Sequence, residues 1–330
     1  MQEVLKRVLA KIKPSKQEEQ EVKKVAKNII NKIRIKDAKP VLGGSGEKGT
    51  WLRGTHDIDI YVKFNPKKYK NGEISQILKK ELKKKFSKTE TLHGSRDYYR
   101  IFTSNYTTEV VPIMDIKKVE ESQNITDVSP FHAKWVKKHK KGDEIRLAKA
   151  FCRAQNCYGA ESYIQGFSGY VLEILTIHYG SFESLLKNAA KWKNKEYIDQ
   201  KKHGVKLNKA KTYSPLILID PVQADRNAAA ALGREKYHQF IQAAQKFLHD
   251  PKEEAFEKKE ITEEQLKHKA EGKELVMIEV TPLKGKEDVV GAKLLKALEY
   301  LRNKLAKEGF KIYDHNWKWD KKALFWFILD

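Results

Sequence analysis

Apolar positions recur at spacings of three and four through residues 16–34. Val22, Val25, Ala26, Ile29, Ile30 and Ile33 fall there on one helical face. The period then drops to two. Short β-branched or alternating runs predict strands over residues 39–42, 57–64, 98–104 and 107–113. A lysine-rich helix is predicted over residues 73–87, and a helical turn at Thr50 and Trp51. Strand and helix pieces mixed in this way predict an α/β arrangement for the first 120 or so residues.

The pattern changes at Ser129-Pro130. Helical periodicity then dominates, over residues 143–156, 167–178, 181–193 and 234–249. Gly166-Phe167-Ser168-Gly169-Tyr170 suits a closely packed helix start, and Asp220-Pro221 a turn after the apolar run Leu216–Ile219. Residues 251–273 are charged and read as a mobile linker. The remainder reads strand (274–281), helix (289–308), strand (310–316) and strand (321–329). That is β-α-β-β, and a ferredoxin-type unit would need one more helix and strand. The expected fold class is therefore α+β, with segments 1–128, 129–250 and 251–330, and no internal repeat.

Charge sharpens this picture. Lys and Arg number 66 against 44 Asp and Glu, a formal net charge of +22, which calls for a polyanionic partner. Nucleic acid is favoured over an acidic membrane. Lysines cluster at 79–85, 134–141 and 187–211, with Trp135 and Trp192 among the last two groups, a composition suited to RNA backbone and stacking. The two cysteines, Cys152 and Cys157, have neither the spacing nor the companions of a zinc site and suit a reducing cytoplasm. The start, Met1 to Arg7, lacks a signal-peptide core, and the apolar run Ala323–Leu329 is too short to span a bilayer. No membrane partner is expected.

The candidate chemistry lies between Gly43 and Asp59. Side chains alternate across a strand, so Asp57 and Asp59 share a face, opposite Ile58 and Ile60. Adjacent carboxylates repel unless a cation sits between them, and divalent metal is the usual answer. The Gly44-Ser45 turn upstream offers free backbone N–H groups to phosphate. A third acid is expected from a neighbouring strand. Glu109 stands inside the β-branched run Thr107–Val111, where an acid is out of place unless something binds it; Asp115 is the rival. The bland alternative is a solvated strand face bearing two aspartates.

In these residues the chain resembles the nucleotidyltransferases of the DNA polymerase β type, and among them the archaeal class I CCA-adding enzymes. Gly44-Ser45, Thr50 to Gly54 and Asp57-Ile58-Asp59 carry the superfamily likeness. Ser129 to Trp135, Arg146 to Lys149, Tyr158 to Glu161, Gly166 to Tyr170, Tyr179 to Phe182 and Asp220 to Asn227 carry the likeness to this branch.

The resemblance implies a polymerase β-like catalytic head, a helical nucleotide-binding neck and a shortened body contacting tRNA. It implies two Mg²⁺ ions held by Asp57, Asp59 and Glu109. Gly44, Ser45 and Lys48 would meet the triphosphate, and Ser129 and His132 the sugar and phosphates. Lys149 and Tyr158 would grip the triphosphate, and Arg226 would help select CTP and ATP. The implied reaction is template-independent CCA addition to the tRNA 3′ end.

Taken alone, Lys149 could equally sit on a solvated helix face, His132 cap a turn, Tyr158 pack a core and Arg226 form a surface ion pair. By three-residue spacing, Arg146 and Lys149 could face one anion. Two departures stand out. The family's first acid is usually Glu and its third Asp, whereas Asp57 and Glu109 occupy those positions, and Lys48 stands where Arg is common. Family members also continue past the point matching Asp330, so the expectation is either a compact variant or a remainder that is a separate chain or was removed, with a homodimer or a separate chain as candidate suppliers of the tail. An A-only RNA nucleotidyltransferase and a weakly catalytic RNA-binding protein are the alternative readings.

Overall fold

The computed structural model describes every residue except His56, Asn71, Ser104, Lys259 and Glu260. Ser104, the last residue of one expected strand, and Lys259 and Glu260 of the expected linker thus lie outside the described residues, as does His56 in the Gly-Ser-to-Asp stretch.

Along the chain the elements are α1 (Gln2–Ile12), α2 (Lys16–Lys32), β1 (Ala38–Leu42), α3 (Gly44–Lys48), β2 (Asp57–Phe64) and α4 (Ile74–Lys85). Then come β3 (Thr89–His93), β4 (Asp97–Phe102) and β5 (Thr107–Met114). The helical part holds α5 (Ser129–Lys138), α6 (Gly142–Ala154), α7 (Gly169–Tyr179), α8 (Phe182–Ala189), β6 (Glu196–Ile198), β7 (Leu216–Leu218) and α9 (Arg234–His249). The last elements are α10 (Glu263–Lys269), β8 (Glu274–Val280), α11 (Glu287–Lys307), β9 (Ile312–Trp319) and β10 (Ala323–Leu329).

Five strands form one mixed sheet in the order β1-β2-β5-β4-β3, with β2 and β5 parallel and the other neighbours antiparallel. Period-two alternation decides its faces. Ile58, Ile60, Val62 and Phe64 are buried against Val22, Ala26 and Ile29 of α2 and Ile74, Leu78 and Leu82 of α4. The other face of β2 carries Asp57, Asp59, Tyr61 and Lys63. A capping box starts α2: the Ser15 hydroxyl accepts from the Glu18 N–H (3.2 Å), and the Glu18 carboxylate accepts from the Ser15 N–H (2.6 Å).

β3 escaped the sequence reading because Thr-Glu-Thr-Leu-His carries one strongly apolar residue. As the sheet's edge it needs little more. The helical turn expected at Thr50 and Trp51 lies earlier, at Gly44–Lys48, and Gly49 ends it in the left-handed region (φ 65°).

A second core joins α5 to α9 with β6 and β7, a short parallel pair. Leu5 and Val8 of α1 pack into this helical core and not into the sheet. One compact unit comprises Met1–Tyr158 and Phe167–Glu257, and so holds both cores. The expected linker begins inside it. Phe256 packs its ring 5.6 Å from Phe151 and 5.4 Å from Phe247. Further on, α10 starts with its own capping box, Thr262 to Gln265, and buries Leu266. Apolar anchors spaced through a charged stretch give these residues regular structure.

The other unit, Gly159–Gly166 with Lys258–Asp330, carries an antiparallel sheet in the order β8-β10-β9. The two strands joined through α11 flank the third, as in a split β-α-β unit. Val290, Leu294 and Leu298 of α11 bury against Ala323, Phe325, Phe327 and Leu329. Tyr163 brings its ring to 5.4 Å from Trp319, against Gly291, where a Cβ would approach that ring to 2.4 Å.

Candidate active site

The Gly-Ser turn lies directly on the carboxylate strand. The Gly43 N–H donates to the Asp59 carbonyl at 2.8 Å, and the Ser45 N–H donates to the Asp59 carboxylate. Gly44 has φ 51°, and a Cβ there would stand 1.6 Å from Asp59 Oδ2. A Cβ on Gly43 would meet the Tyr61 ring at 2.5 Å. Glycine is thus required twice, by close approach and, at Gly44, also by backbone conformation.

Parallel pairing sets Asp59 beside Glu109 and Asp57 beside Thr107. Asp57, Asp59 and Glu109 therefore share the sheet face turned away from α2 and α4. Burial is the largest cause raising Asp59 to a pKa of about 6; the negative charge of Glu109 adds to it, Lys48 opposes it, and Asp57 contributes further. Such a raised carboxyl marks a site short of positive charge. Glu109 Oε1 accepts from Arg100 Nη2 at 2.9 Å, and among the described residues no three His, Cys, Asp or Glu side chains converge as an ion-holding group. The donor set is nevertheless all carboxylate oxygen, which suits a hard divalent ion, and the excess charge at Asp59 is what such an ion relieves. Asp115 stands six positions beyond Glu109, roughly 20 Å along an extended chain, and pairs with Lys63 at 3.1 Å.

Three further groups converge on Glu173, which is wholly buried in α7. Lys48 Nζ lies 2.8 Å from its Oε2, Lys149 Nζ 2.7 Å from its Oε1, and the Thr50 hydroxyl donates to Oε1 at 3.1 Å. Burial would raise Glu173, but the two ammonium groups outweigh it and hold it at about 2. Burial lowers Lys149, with Glu173 opposing. Tyr158 borders the same place, since a Cβ on Gly169 would meet its hydroxyl at 2.9 Å and Lys149 Nζ at 3.6 Å. Arg153 lies over the Tyr158 ring, 4.6 Å from its centroid. Arg146 does not face Lys149's partner: its Nε donates to the Trp51 carbonyl (3.0 Å) and its Nη1 to Asp143 (2.6 Å).

A third cluster centres on buried Asp220. Arg226 Nη1 donates to its Oδ2 at 2.7 Å, Tyr170 donates to its Oδ1 at 3.0 Å, and His132 Nε2 lies 3.2 Å from Oδ2. The His132 and Tyr170 rings stack at 4.1 Å. Tyr170 links the clusters, because Lys48 Nζ stands 5.7 Å from its ring centroid. Ser129 opens α5 and hydrogen-bonds the Tyr61 hydroxyl, one strand alternation from Asp59.

The expected residues thus fall into three linked groups: Gly44, Ser45, Asp57, Asp59 and Glu109, with Ser129 beside them at Tyr61; Lys48, Lys149 and Tyr158; and His132 with Arg226. Glu173, Thr50, Tyr170 and Arg100 were missed. Glu173 carried the signal that found Glu109, an acid inside an apolar run, Val171 to Ile177. Trp135 and Trp192, expected as stacking platforms, are core residues only 8% and 9% exposed. Trp192 donates to the Tyr179 hydroxyl (3.1 Å) and stacks on Tyr237 at 5.5 Å.

A glycine-serine turn laid on a carboxylate strand of a mixed sheet, followed by a helical bundle, defines a nucleotidyltransferase. Two family models agree: a nucleotidyltransferase domain matches residues 21–132, and the second domain of tRNA nucleotidyltransferase matches residues 143–257. The CCA-adding enzyme of Nanoarchaeum equitans is 40% identical over 297 residues, 86% of this chain and 72% of that protein. The CCA-adding enzyme of Methanosarcina acetivorans is 34% identical over 256 residues, 74% of this chain and 55% of that protein, so the chain spans about half the length of this longer relative. The chain belongs to the family of CCA-adding enzymes. The solved structure of a cytoplasmic RNA terminal U-transferase shares the fold, with a TM-score of 0.62 at 14% identity over 79% of this chain and 100% of that one. Among the described residues no helix is long and apolar enough to cross a membrane.

Proposed function

We propose that this chain adds CCA to the 3′ end of tRNA without a template, taking CTP and ATP and releasing pyrophosphate, in the cytoplasm. The observation that carries the reading is the registered pair Asp59 and Glu109, with Asp57 on the same face and the Gly44-Ser45 turn pressed against it. Asp57, Asp59 and Glu109 would hold two Mg²⁺ ions. When bound, these neutralise phosphate charge and lower the pKa of the attacking 3′-hydroxyl.

The chain's own residues do the rest. Ser45 and its neighbouring amides face the triphosphate, and Lys48, Lys149 and Tyr158 bring further donors to it. Glu173 holds both ammonium groups in place, and its negative charge opposes the lowering that burial imposes on Lys149. Asp220 fixes Arg226 and His132, so that Arg226 presents a set geometry to the base edge. The new bond joins the RNA 3′-oxygen to the α-phosphorus as the bond to the β-phosphate oxygen breaks. In this reading residues 1–128 carry the chemistry, 129–250 the nucleotide contacts and 251–330 contacts to tRNA.

The test is incubation with tRNA lacking its last three nucleotides, Mg²⁺ and labelled CTP or ATP. CTP then ATP should be incorporated. Incorporation of ATP alone, or of neither, would overturn the proposal.

A further inference from the structure

Tyr213 is 89% exposed, the most exposed large apolar side chain among the described residues. It ends a stretch, Lys201 to Thr212, that is anything but loose. The Asn208 side chain accepts from the Lys211 N–H at 3.0 Å, and Tyr197 donates to the Val205 carbonyl at 2.9 Å. Asp199 accepts from the Gly204 N–H at 3.0 Å, and Lys195 donates to the Thr212 carbonyl at 2.8 Å. Immediately afterwards Ser214 is buried and donates to the Leu232 carbonyl at 3.2 Å. An anchored backbone thus holds an aromatic ring in water, where it packs against nothing that would explain it.

The stretch of chain that leads into the ring is rich in lysine. No acid occurs between Asp199 and Asp220, and five lysines do: Lys201, Lys202, Lys206, Lys209 and Lys211. Lys211 pairs with Asp225 at 3.1 Å, but the other four form no ion pair among the described residues. Asp199 is taken up by His203 and the Gly204 N–H, and the Glu196 carboxylate by the Lys193 N–H. The stretch is also tied to the nucleotide-selecting segment, because Asn227, next to Arg226, donates to the Lys211 carbonyl at 3.0 Å.

We propose that Tyr213 is a stacking platform for an unpaired nucleotide of the RNA substrate, with Lys201, Lys202, Lys206 and Lys209 holding the flanking phosphates. A ring accepts any base face, and lysines track the backbone without reading sequence. The inference deepens the reading of the chain as an RNA-extending enzyme and rests on it for the identity of the RNA.

The experiment compares binding of tRNA lacking CCA, a single-stranded oligocytidylate of about 12 nucleotides and a blunt RNA duplex. Wild type, Tyr213→Ala, Tyr213→Phe and the double variant Lys206→Gln/Lys209→Gln are measured from about 50 to 200 mM salt. Tyr213→Ala should weaken binding of the tRNA and the oligocytidylate about tenfold and leave the duplex unchanged, and Tyr213→Phe should restore it. The KM for CTP should not move. The lysine pair should lower the salt slope by about two. Binding by Tyr213→Ala within about twofold of wild type, equal loss in Tyr213→Phe, or a parallel rise in the CTP KM would overturn the platform. RNA retention judges this surface whether or not nucleotides are added, whereas wild-type incorporation of CTP judges the proposed function.

Discussion

The Lys48 ammonium lies 2.8 Å from the Glu173 carboxylate, 125 positions away in the chain. It comes from the sheet module, Glu173 from the helical core, and Lys149 takes the carboxylate's other oxygen. Removing the shared carboxylate leaves two ammonium groups with a buried, unmatched charge. Glu173→Gln should lose about 3–5 kcal/mol of unfolding free energy in urea titrations. Adding Lys149→Met should recover part of that loss, since it removes one of the stranded charges.

Asp59 behaves in the opposite way. Its carboxyl is raised to about 6, so between roughly pH 4 and 6 the folded state binds more protons than the unfolded state. Stability therefore falls as pH rises through that window. Asp59→Asn should raise the Tm at pH 7, by an amount corresponding to about 2–3 kcal/mol, while nucleotide incorporation falls at least about 100-fold. Added Mg²⁺ should raise the wild-type Tm and leave that of the variant nearly unchanged. A variant less stable than wild type would contradict the electrostatic account.

Gly44 and Gly49 form a matched pair for testing close approach. Both have positive φ, 51° and 65°, so alanine strains either by about 1–2 kcal/mol. Only at Gly44 would the new methyl strike Asp59; at Gly49 nothing lies within 4 Å. Gly44→Ala should abolish incorporation, and Gly49→Ala should keep a kcat near wild type at the smaller stability cost of backbone strain alone.

Asp220 is held at about 2 because contact with His132, the Val222 N–H and Arg226 outweigh the burial that would raise it. A depressed carboxylate contributes stability that is fully present above its unfolded pKa, near 3.8, and is lost as pH falls through 2. Wild type should exceed Asp220→Asn by about 2 kcal/mol above pH 4 from this source, with the gap closing toward pH 2. Unfolding free energies of the two proteins across that range check it, and a gap independent of pH would contradict it.

The sequence carried what depends on local periodicity. The alternation in Asp57 to Phe64 and the run around Glu109 gave both strands and the shared face of the acids. It did not carry partners set by distant packing. Nothing near Arg146 shows that its guanidinium reaches the Trp51 carbonyl, and nothing near Lys149 shows that its partner is Glu173. Trp135 and Trp192 misled because lysines on the exposed side of a helix or loop say nothing about which way a neighbouring ring turns. Tyr213, with lysines just as close, is the ring that turns outward.

The placement of α1 has a mechanical consequence. The chain begins in the helical core, leaves it at Lys13 to build the sheet, and returns at Ser129. The carboxylate-bearing module is thus a loop-like insertion, moored at both ends to the body that carries Arg226. Arg53 tightens the first mooring, donating through its backbone N–H to the Ile12 carbonyl at 2.8 Å. A protease cut near Lys13 leaves the module joined to the body by the peptide chain at Ser129, and a cut near Ser129 leaves it docked through α1, whose Leu5 and Val8 stay packed in the helical core. The two halves of the site should therefore stay associated after a single nick.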